Sequence, residues 1–280
     1  MTGGPGRARW SPDVVRRRAA RAVRRSAYNS VRRWRNRPPI VSRQWSPAPP
    51  DFVGIGVQRA GTSWWYSLLQ AHPRVHGPAE GKEAHYFERF WREPFTEADV
   101  SGYHELFRRP AGKLCGEWTP RYMFDPWTPP LLHRAAPEAR LLVMLRDPVE
   151  RFRSGMTHSL ERGKTVDAAT VDEALSRSLY HAQLAGILRH FPRPQVLLLQ
   201  YERCMAEPAQ MLRRTQAFLD LAEQPPATGA VGRVNATGIA KLELPAPLMT
   251  EVRARLGPDV EQLAAKFPEI ELGLWPNFGS

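Results

Sequence analysis

A short stretch near residue 60 combines glycine, a cation and two hydroxyl groups in an order that favours phosphate binding. Gly56 and Gly61 are spaced as in the Walker loop G-x-x-x-x-G-K-[ST], and Ser63 stands at its hydroxyl position. Thr62 takes the place of the nucleotide-gripping lysine, and the cation of the stretch, Arg59, comes two residues before Gly61. The stretch therefore predicts a phosphate site that differs from a Walker loop, with an ordinary strand-to-helix turn as the alternative.

The flanking residues predict the elements that hold this stretch. Residues 52–57 form a short apolar run that is typical of a strand buried on both faces. Trp65, Leu68 and Leu69 recur at helical spacing, which predicts a helix from about Thr62 to the neighbourhood of His72. A glycine turn between a strand and a helix start presents backbone N–H groups at the positive end of the helix dipole, and this attracts phosphate.

A second cationic stretch follows another buried strand, predicted over residues 139–145. Arg146 comes directly after this strand, and Arg151 and Ser154 share a face of the next helix because they are three residues apart. Arginine and hydroxyl groups that converge beside a helix start predict a second phosphate site. The alternative is a surface helix whose arginines pair with Glu150 and are solvated.

Two further loops carry dense groups of ionisable and aromatic side chains. Lys82, Glu83 and His85 stand together in the sequence GKEAHYF over residues 81–87. The residues EWTPRY, 117–122, lead from a strand predicted over 113–117 into a loop.

Strands alternate with helices along the chain, which favours one mostly parallel sheet covered on both sides. Ligands in such folds gather at the carboxyl ends of the strands, where the polar stretches fall. The predicted fold class is α/β, a P-loop-like three-layer sandwich with a central, mostly parallel sheet. The other expected elements are short strands at 75–77 and 195–200 and helices at about 97–107, 129–136, 148–162, 166–190, 208–220 and 246–267.

The net charge is concentrated in the first 48 residues. The 280-residue chain carries +12, and residues 1–48 hold thirteen Arg, no Lys and one acid, Asp13, so the remainder is balanced. We expect a basic tail over 1–48, with an amphipathic helix between Pro12 and Arg37, and one domain over 49–280. Such a helix can lie on an anionic membrane, touch nucleic acid or dock on its own domain, and a solvated tail is the alternative. The balanced body gives no sign of a nucleic-acid-binding domain.

Other sequence features predict a cytoplasmic protein whose tail can contact a membrane surface. No apolar run approaches 18 residues, and the N-terminus lacks the apolar region of a signal peptide. Cys115 and Cys204 have no metal-ligand spacing, so we expect reduced core cysteines.

The motifs together resemble a known family. The stretches VQRAGTS (57–63) and LRDPVERFRS (145–154) resemble the sulfotransferases that use 3′-phosphoadenylyl sulfate (PAPS). Residues 82–87 look like the K-E-x-H-F-F segment of the carbohydrate, heparan-type branch, residues 117–122 are similar to its E-K-T-P-x-Y, and 198–202 with 217–219 match a late strand and helix. The similarity covers about 51–221. It implies a bacterial-like member of this family, with PAPS as co-substrate, 3′,5′-adenosine bisphosphate (PAP) as product, and no metal.

The resemblance also implies a role for each motif residue. Arg146 and Ser154 bind the 3′-phosphate, and Glu83 is the general base that takes the acceptor's proton. Arg59 and Lys82 offset the charge on the leaving phosphate. The 5′-phosphosulfate end is bound by Gln58, Arg59, Ala60, Gly61, Thr62 and Ser63.

Two positions depart from the family pattern. Arg59 stands where most members have lysine, and because arginine stays charged we expect a clamp on the leaving group rather than a proton donor. Trp118 replaces a second lysine, so we expect Arg121 to compensate or Trp118 to stack on the acceptor, with a partly buried loop tryptophan as the alternative. Arg233 and Lys241 are the candidates for the family's C-terminal nucleotide contacts.

The predicted reaction moves a sulfuryl group in line from PAPS to a hydroxyl of a sugar, glycolipid or small metabolite. His85 orients Glu83 or contacts the acceptor, and a structural histidine is the alternative. One rival is a phosphotransferase, which requires a Walker lysine and a Mg²⁺-binding acid at a strand end, and we find neither in the sequence. The other rival is a non-catalytic protein recruited to membranes or nucleic acid by the tail.

Overall fold

Five parallel strands form one sheet in the part of the chain that the structure describes. This computed structural model describes residues 42, 44–79, 81–163, 165, 167–226 and 243–279, so the helix predicted between residues 12 and 37 lies outside the described residues. The strands are β1 (Phe52–Gly56), β2 (Val75–His76), β3 (Leu114–Trp118), β4 (Arg140–Leu145) and β5 (Val196–Gln200). They lie in the order β2-β3-β1-β4-β5, and every pairing is parallel. The predicted α/β fold is confirmed.

Helices connect and cover these strands. Every residue of β1 and all but the first of β4 are buried. Because successive side chains of a strand point to opposite faces, burial of all of them means that both faces are covered. The helices are α1 (Thr62–Gln70), α2 (Glu97–Glu105), α3 (Thr128–Ala135), α4 (Pro148–Glu161), α5 (Ala168–Ser176), α6 (Tyr180–Ile187), α7 (Tyr201–Ala206), α8 (Pro208–Phe218) and α9 (Ala246–Lys266), with 3₁₀ turns at Tyr86–Trp91, Arg193–Gln195 and Leu272–Leu274.

The strand order reverses at β1, which creates a crevice at the carboxyl edge of the sheet. The chain visits β2 and β3 on one side of β1 and β4 and β5 on the other. The loops that follow strands on either side of such a switch point separate, and ligands bind between them. The loops after β1, β3 and β4 therefore meet at one edge.

Asp147 fixes the start of α4 beside this crevice. Its Oδ1 accepts hydrogen bonds from the backbone N–H groups of Val149 (2.9 Å) and Glu150 (3.1 Å), which makes it the helix cap. Its Oδ2 accepts from the backbone and side-chain nitrogens of Asn277, each at 3.0 Å. The residues after β4 are thus held by both their own helix and the C-terminal segment.

The helix predicted over 166–190 is wrong, because the structure has two helices, α5 and α6, with a break at residues 177–179. Ser178 is fully buried in this break. Its hydroxyl donates to the carbonyl of Pro148 (3.1 Å) and accepts from Arg151 Nε (2.7 Å). Leu179 has φ −83° and ψ 83°, which is not helical. A contact with a distant helix therefore overrides local helical propensity.

Candidate active site

The loop between β1 and α1 has the backbone of an anion-binding turn. Gly61 has φ 81°, a left-handed conformation that glycine adopts readily. A Cβ atom there would lie 2.7 Å from the ring of Tyr201, so the loop rests directly on that ring. Gly61 offers no side-chain cap to α1, and the first N–H groups of a helix have no partner within it. The backbone N–H groups of Thr62 and Ser63 precede the first amides that bond to the Gly61 carbonyl, those of Trp64 and Trp65, and are therefore placed to bind an anion.

The two predicted phosphate-binding stretches contact one another. Arg59 Nε donates to Ser154 Oγ at 3.1 Å, and Arg146 Nη1 donates to the Arg59 carbonyl oxygen at 3.0 Å. Arg59 has φ 73°, which is uncommon for a residue with a side chain. The Arg146 guanidinium also lies 5.1 Å from the centre of the Tyr201 ring. The structure thus brings Arg59, Arg146 and Ser154 into one hydrogen-bonded group between the β1–α1 loop and the first half of α4.

Arg151 does not join this group, although it shares the stretch with Ser154. Its side chain is buried and donates to Ser178 Oγ and, at 2.6 Å, to the Ala174 carbonyl. Desolvation by burial lowers the pKa of Arg151 to about 10. The expectation that Arg151 helps to hold a phosphate is therefore corrected, because this arginine fixes the break between α5 and α6.

On the other side of the crevice, Glu83 is held between two cationic side chains. Lys82 Nζ donates to Glu83 Oε1 at 2.7 Å and to the Trp118 carbonyl at 3.1 Å. His85 Nε2 lies 3.2 Å from Glu83 Oε2, and His85 Nδ1 lies 2.5 Å from Glu88 Oε1. The structure therefore brings into contact the three residues predicted to act together, Lys82, Glu83 and His85.

These contacts set the charges of the pair. Burial opposes the ionisation of Glu83, but hydrogen bonds from His85 and Lys82 and their positive charges outweigh it and lower its pKa to about 2. The hydrogen bond to Glu83, assisted by Glu88, raises the pKa of His85 to about 9. At neutral pH Glu83 is therefore a carboxylate, and His85 is an imidazolium that donates to both carboxylates.

The residues of the EWTPRY segment shape the loop that carries Glu83. Glu117 is fully buried, and burial raises the pKa of its carboxyl. It accepts hydrogen bonds from the hydroxyls of Tyr103 (2.8 Å) and Tyr122 (3.1 Å) and from the backbone N–H of Ala84 (3.0 Å). This bond to Ala84 fixes the backbone directly after Glu83.

Trp118 corrects a prediction, because it has no exposed surface with which to stack on an acceptor. Its indole ring lies over Gly54, where an added Cβ would come within 2.1 Å of the ring, and its Nε1 donates to the Gly56 carbonyl at 3.1 Å. Since Lys82 donates to the Trp118 carbonyl, Trp118 joins the Glu83 loop to the end of β1. Trp118 is therefore a buried contact between the two sides of the crevice.

Other predicted residues are placed as follows. Gln58 Oε1 accepts from Arg177 Nη1 at 2.9 Å, and Ala60 is fully buried. Arg121 Nε donates to Asp125 at 2.7 Å and lies 3.7 Å from Glu88. Residues 233 and 241, the C-terminal candidates, lie outside the described residues.

Sequence reasoning missed two residues of the site, Glu88 and Arg177. Glu88 is three residues after His85, and this spacing on a 3₁₀ turn was a usable signal because side chains at i and i+3 align there. Arg177 is 119 residues from Gln58 and offers no local signal. Within the described residues, no group of three or more His, Cys, Asp or Glu side chains converges on a point where a metal could bind.

Comparison with known families identifies the chain. Residues 49–229 match the family model described as the sulfotransferase domain. The chain belongs to the sulfotransferase family. This finding confirms the resemblance inferred from the motifs, and the site lies within the matched part of the sulfotransferase domain.

Individual relatives agree with this membership. Heparan sulfate glucosamine 3-O-sulfotransferase 3B1 of Mus musculus is 32% identical over 187 residues, which is 61% of this chain and 46% of the relative. The chain thus spans about half the length of the curated relatives it matches. A sulfotransferase of Alicyclobacillus acidocaldarius is 28% identical, with a TM-score of 0.67 over 81% of this chain and 99% of that chain. Sulfotransferase STF9 of Mycobacterium avium, 15% identical with a TM-score of 0.54 over 81% of this chain and 78% of that chain, shares the fold.

In the portion of this sulfotransferase that the structure describes, no helix has both the length and the apolar character needed to cross a membrane.

Proposed function

We propose that this protein is an O-sulfotransferase that transfers a sulfuryl group from PAPS to a hydroxyl of a carbohydrate acceptor. The observation that carries the proposal is the pairing of two groups across one crevice. One is the hydrogen-bonded group of Arg59, Arg146 and Ser154 beside the start of α1. The other is the ionised Glu83 held by Lys82 and His85. The family and the named activity of the mouse relative support this assignment.

The donor side fits a ligand with two anionic ends. Arg59 and Arg146 supply charged donors, and the α1 amides supply neutral ones at a helix start. When bound, PAPS supplies the sulfuryl group and a phosphate leaving group. Arg59 stays charged at all working pH values, so it acts by offsetting negative charge that grows on the leaving group. Its bond to Ser154 holds the guanidinium in place for this task.

Glu83 is the proposed general base, and its partners regulate its strength. A carboxylate with a pKa of about 2 is a weak base while Lys82 and His85 both hold it. The Lys82 ammonium is also attracted to negative charge developing on the donor side. Any movement of Lys82 toward that charge removes a hydrogen bond from Glu83, and the pKa of Glu83 then rises. Glu83 becomes a stronger base at the moment when the acceptor's proton must leave.

Calorimetry with PAP tests the donor site. We expect saturable binding of PAP to the wild-type protein. Absence of binding at about millimolar PAP would mean a binding free energy weaker than roughly 4 kcal/mol and would overturn the proposal. A screen of hydroxylated carbohydrates with labelled PAPS would then identify the acceptor.

Glu83→Gln tests the base. This substitution keeps the size of the side chain but removes the proton acceptor, so we expect unchanged PAP affinity and a turnover lower by on the order of a hundredfold or more. Glu105→Gln, which alters an exposed carboxylate paired with Arg108, is the matched control and should turn over normally. Normal turnover by Glu83→Gln would contradict the base assignment.

The phosphotransferase alternative has less support. Thr62 occupies the position of the Walker lysine, and its side chain is buried. We also propose that residues 1–48 make peripheral contact with an anionic membrane. We do not propose specific binding of nucleic acid.

A further inference from the structure

Arg177, in the break between α5 and α6, contacts the loop between β1 and α1, residues 57–61, which we call the donor loop. Its Nη1 donates to Gln58 Oε1 at 2.9 Å. Its Nε and Nη2 donate to Glu173 Oε1 at 3.1 and 2.9 Å. The centre of its guanidinium lies 4.1 Å from the centroid of the Phe124 ring, and only 10% of the side chain is exposed. One side chain therefore contacts the loop after β1, the loop after β3 and its own helix.

The backbone of Arg177 is fixed by its neighbour in sequence. Ser178 is buried and bonds both to Arg151 of α4 and to the carbonyl of Pro148. Helix α4 also carries Ser154, which binds Arg59. The position of Arg177 is thus set by the same helix that completes the donor site.

The bond to Gln58 determines what the donor loop presents to an anion. A carboxamide has one oxygen, which accepts, and one NH₂ group, which donates. When the oxygen accepts from a guanidinium, the NH₂ group points the other way and can donate to an anionic ligand. Without the guanidinium the carboxamide is free to rotate and to present its oxygen, which repels an anion.

Contacts on the other side of Arg177 lead to the proposed base. Phe124 lies in the segment in which Arg121 binds Asp125 and approaches Glu88. Glu88 in turn holds His85. Arg177 therefore lies between the donor loop and the segment that supports Glu83's partner.

We propose that Arg177 is a positioning residue of the donor site: it orients the Gln58 carboxamide toward the anionic donor and joins this loop to the 121–125 segment. This inference rests on the proposed function.

Calorimetry with PAP on Arg177→Met tests the inference. Methionine keeps much of the volume and removes the charged donors, so we expect PAP to bind on the order of tenfold more weakly, as for loss of a charged hydrogen bond. Gln58→Leu should show a similar loss, and the double variant should lose little more than either single one, because both remove the same contact. Arg177→Lys should recover only part of the affinity, since one ammonium cannot replace the planar fork.

Arg255→Met is the matched control. Arg255 makes a similar pair with Glu251, four residues before it, but lies on the exposed surface of α9. It should bind PAP like the wild type. Wild-type affinity in Arg177→Met or Gln58→Leu, or fully additive losses in the double variant, would overturn the inference while the proposed function stands. If the wild type itself does not bind PAP, the proposed function and this inference fall together.

Discussion

Two titrating residues, Glu83 and His85, control each other's charge at the centre of the site. Glu83 has a pKa below its ordinary 4.5, so its ion pairs add stability above pH 4.5 that is lost as the pH falls toward 2. His85 has a pKa above its ordinary 6.5, so its contribution is complete below pH 6.5 and is lost as the pH rises through about 9. Almost half of the His85 side chain is exposed, so solvent and salt weaken this contribution.

The pair predicts a pH profile of activity. We expect kcat/KM of the wild type to be flat at neutral pH and to rise in an alkaline limb near pH 9, because neutral His85 no longer lowers the pKa of Glu83 and leaves a stronger base. In His85→Gln the alkaline limb should disappear. The acid limb should move to higher pH, because the hydrogen bond from His85 is the main factor that lowers the pKa of Glu83. The pH dependence of kcat/KM for both proteins is the measurement.

Glu88→Gln provides the control for this profile. It removes the second carboxylate from His85, so the pKa of His85 should fall and the alkaline limb should begin at lower pH. An alkaline limb that stays near pH 9 in His85→Gln would assign it to another group.

At the scale of elements, the donor loop requires glycine at position 61 for two separate reasons. Its φ of 81° strains any other residue, and its Cβ would meet the Tyr201 ring at 2.7 Å. Gly112 has a similar φ of 77° but nothing within 4 Å of an added Cβ. Gly61→Ala should therefore lose more stability than the roughly 1 kcal/mol of backbone strain expected for Gly112→Ala. It should also lose PAP binding.

Urea unfolding and PAP calorimetry on the two alanine variants check this prediction. Gly112→Ala should keep wild-type PAP affinity, since only the conformation of a distant turn is affected. Equal losses of stability and normal PAP binding in both variants would show that contact with Tyr201 does not shape the loop.

The elements differ in how far local sequence could predict them. Strand β4 and the start of α4 were predictable, because an apolar run, Asp147 and Pro148 act within a few residues. The break at Ser178 and the burial of Trp118 were not, because each depends on a partner far away in sequence: Arg151 for the first, Gly54 and Gly56 for the second. The same reason applies to the site: its motif residues could be predicted from local sequence, whereas Arg177 could not, because its partner Gln58 is 119 residues away.

At the scale of the whole molecule, charge and site belong to different parts of the chain. Residues 1–41 contain twelve Arg and one acid, so their removal would lower the net charge by eleven. The described residues that follow this segment contact the rest of the domain. The carbonyls of Trp45 and Pro49 accept hydrogen bonds from Arg108 and Arg109, and the Trp45 ring lies edge-on to His76 at 4.8 Å.

A chain that begins at Ser42 therefore separates binding of a membrane from binding of the donor. It retains the attached residues and removes nearly all of the excess charge, so we expect PAP affinity within about twofold of the full chain's, less than 1 kcal/mol. Cosedimentation with phosphatidylserine vesicles should be lost, since each Arg near an anionic surface contributes about 1 kcal/mol. Full-length protein should release from the vesicles in about 1 M salt, where the Debye length is about 3 Å. A variant of the 280-residue chain with these arginines changed to lysine should still bind the vesicles, because the attraction depends on charge. Retained vesicle binding by the shortened chain would instead place the membrane contact on the domain.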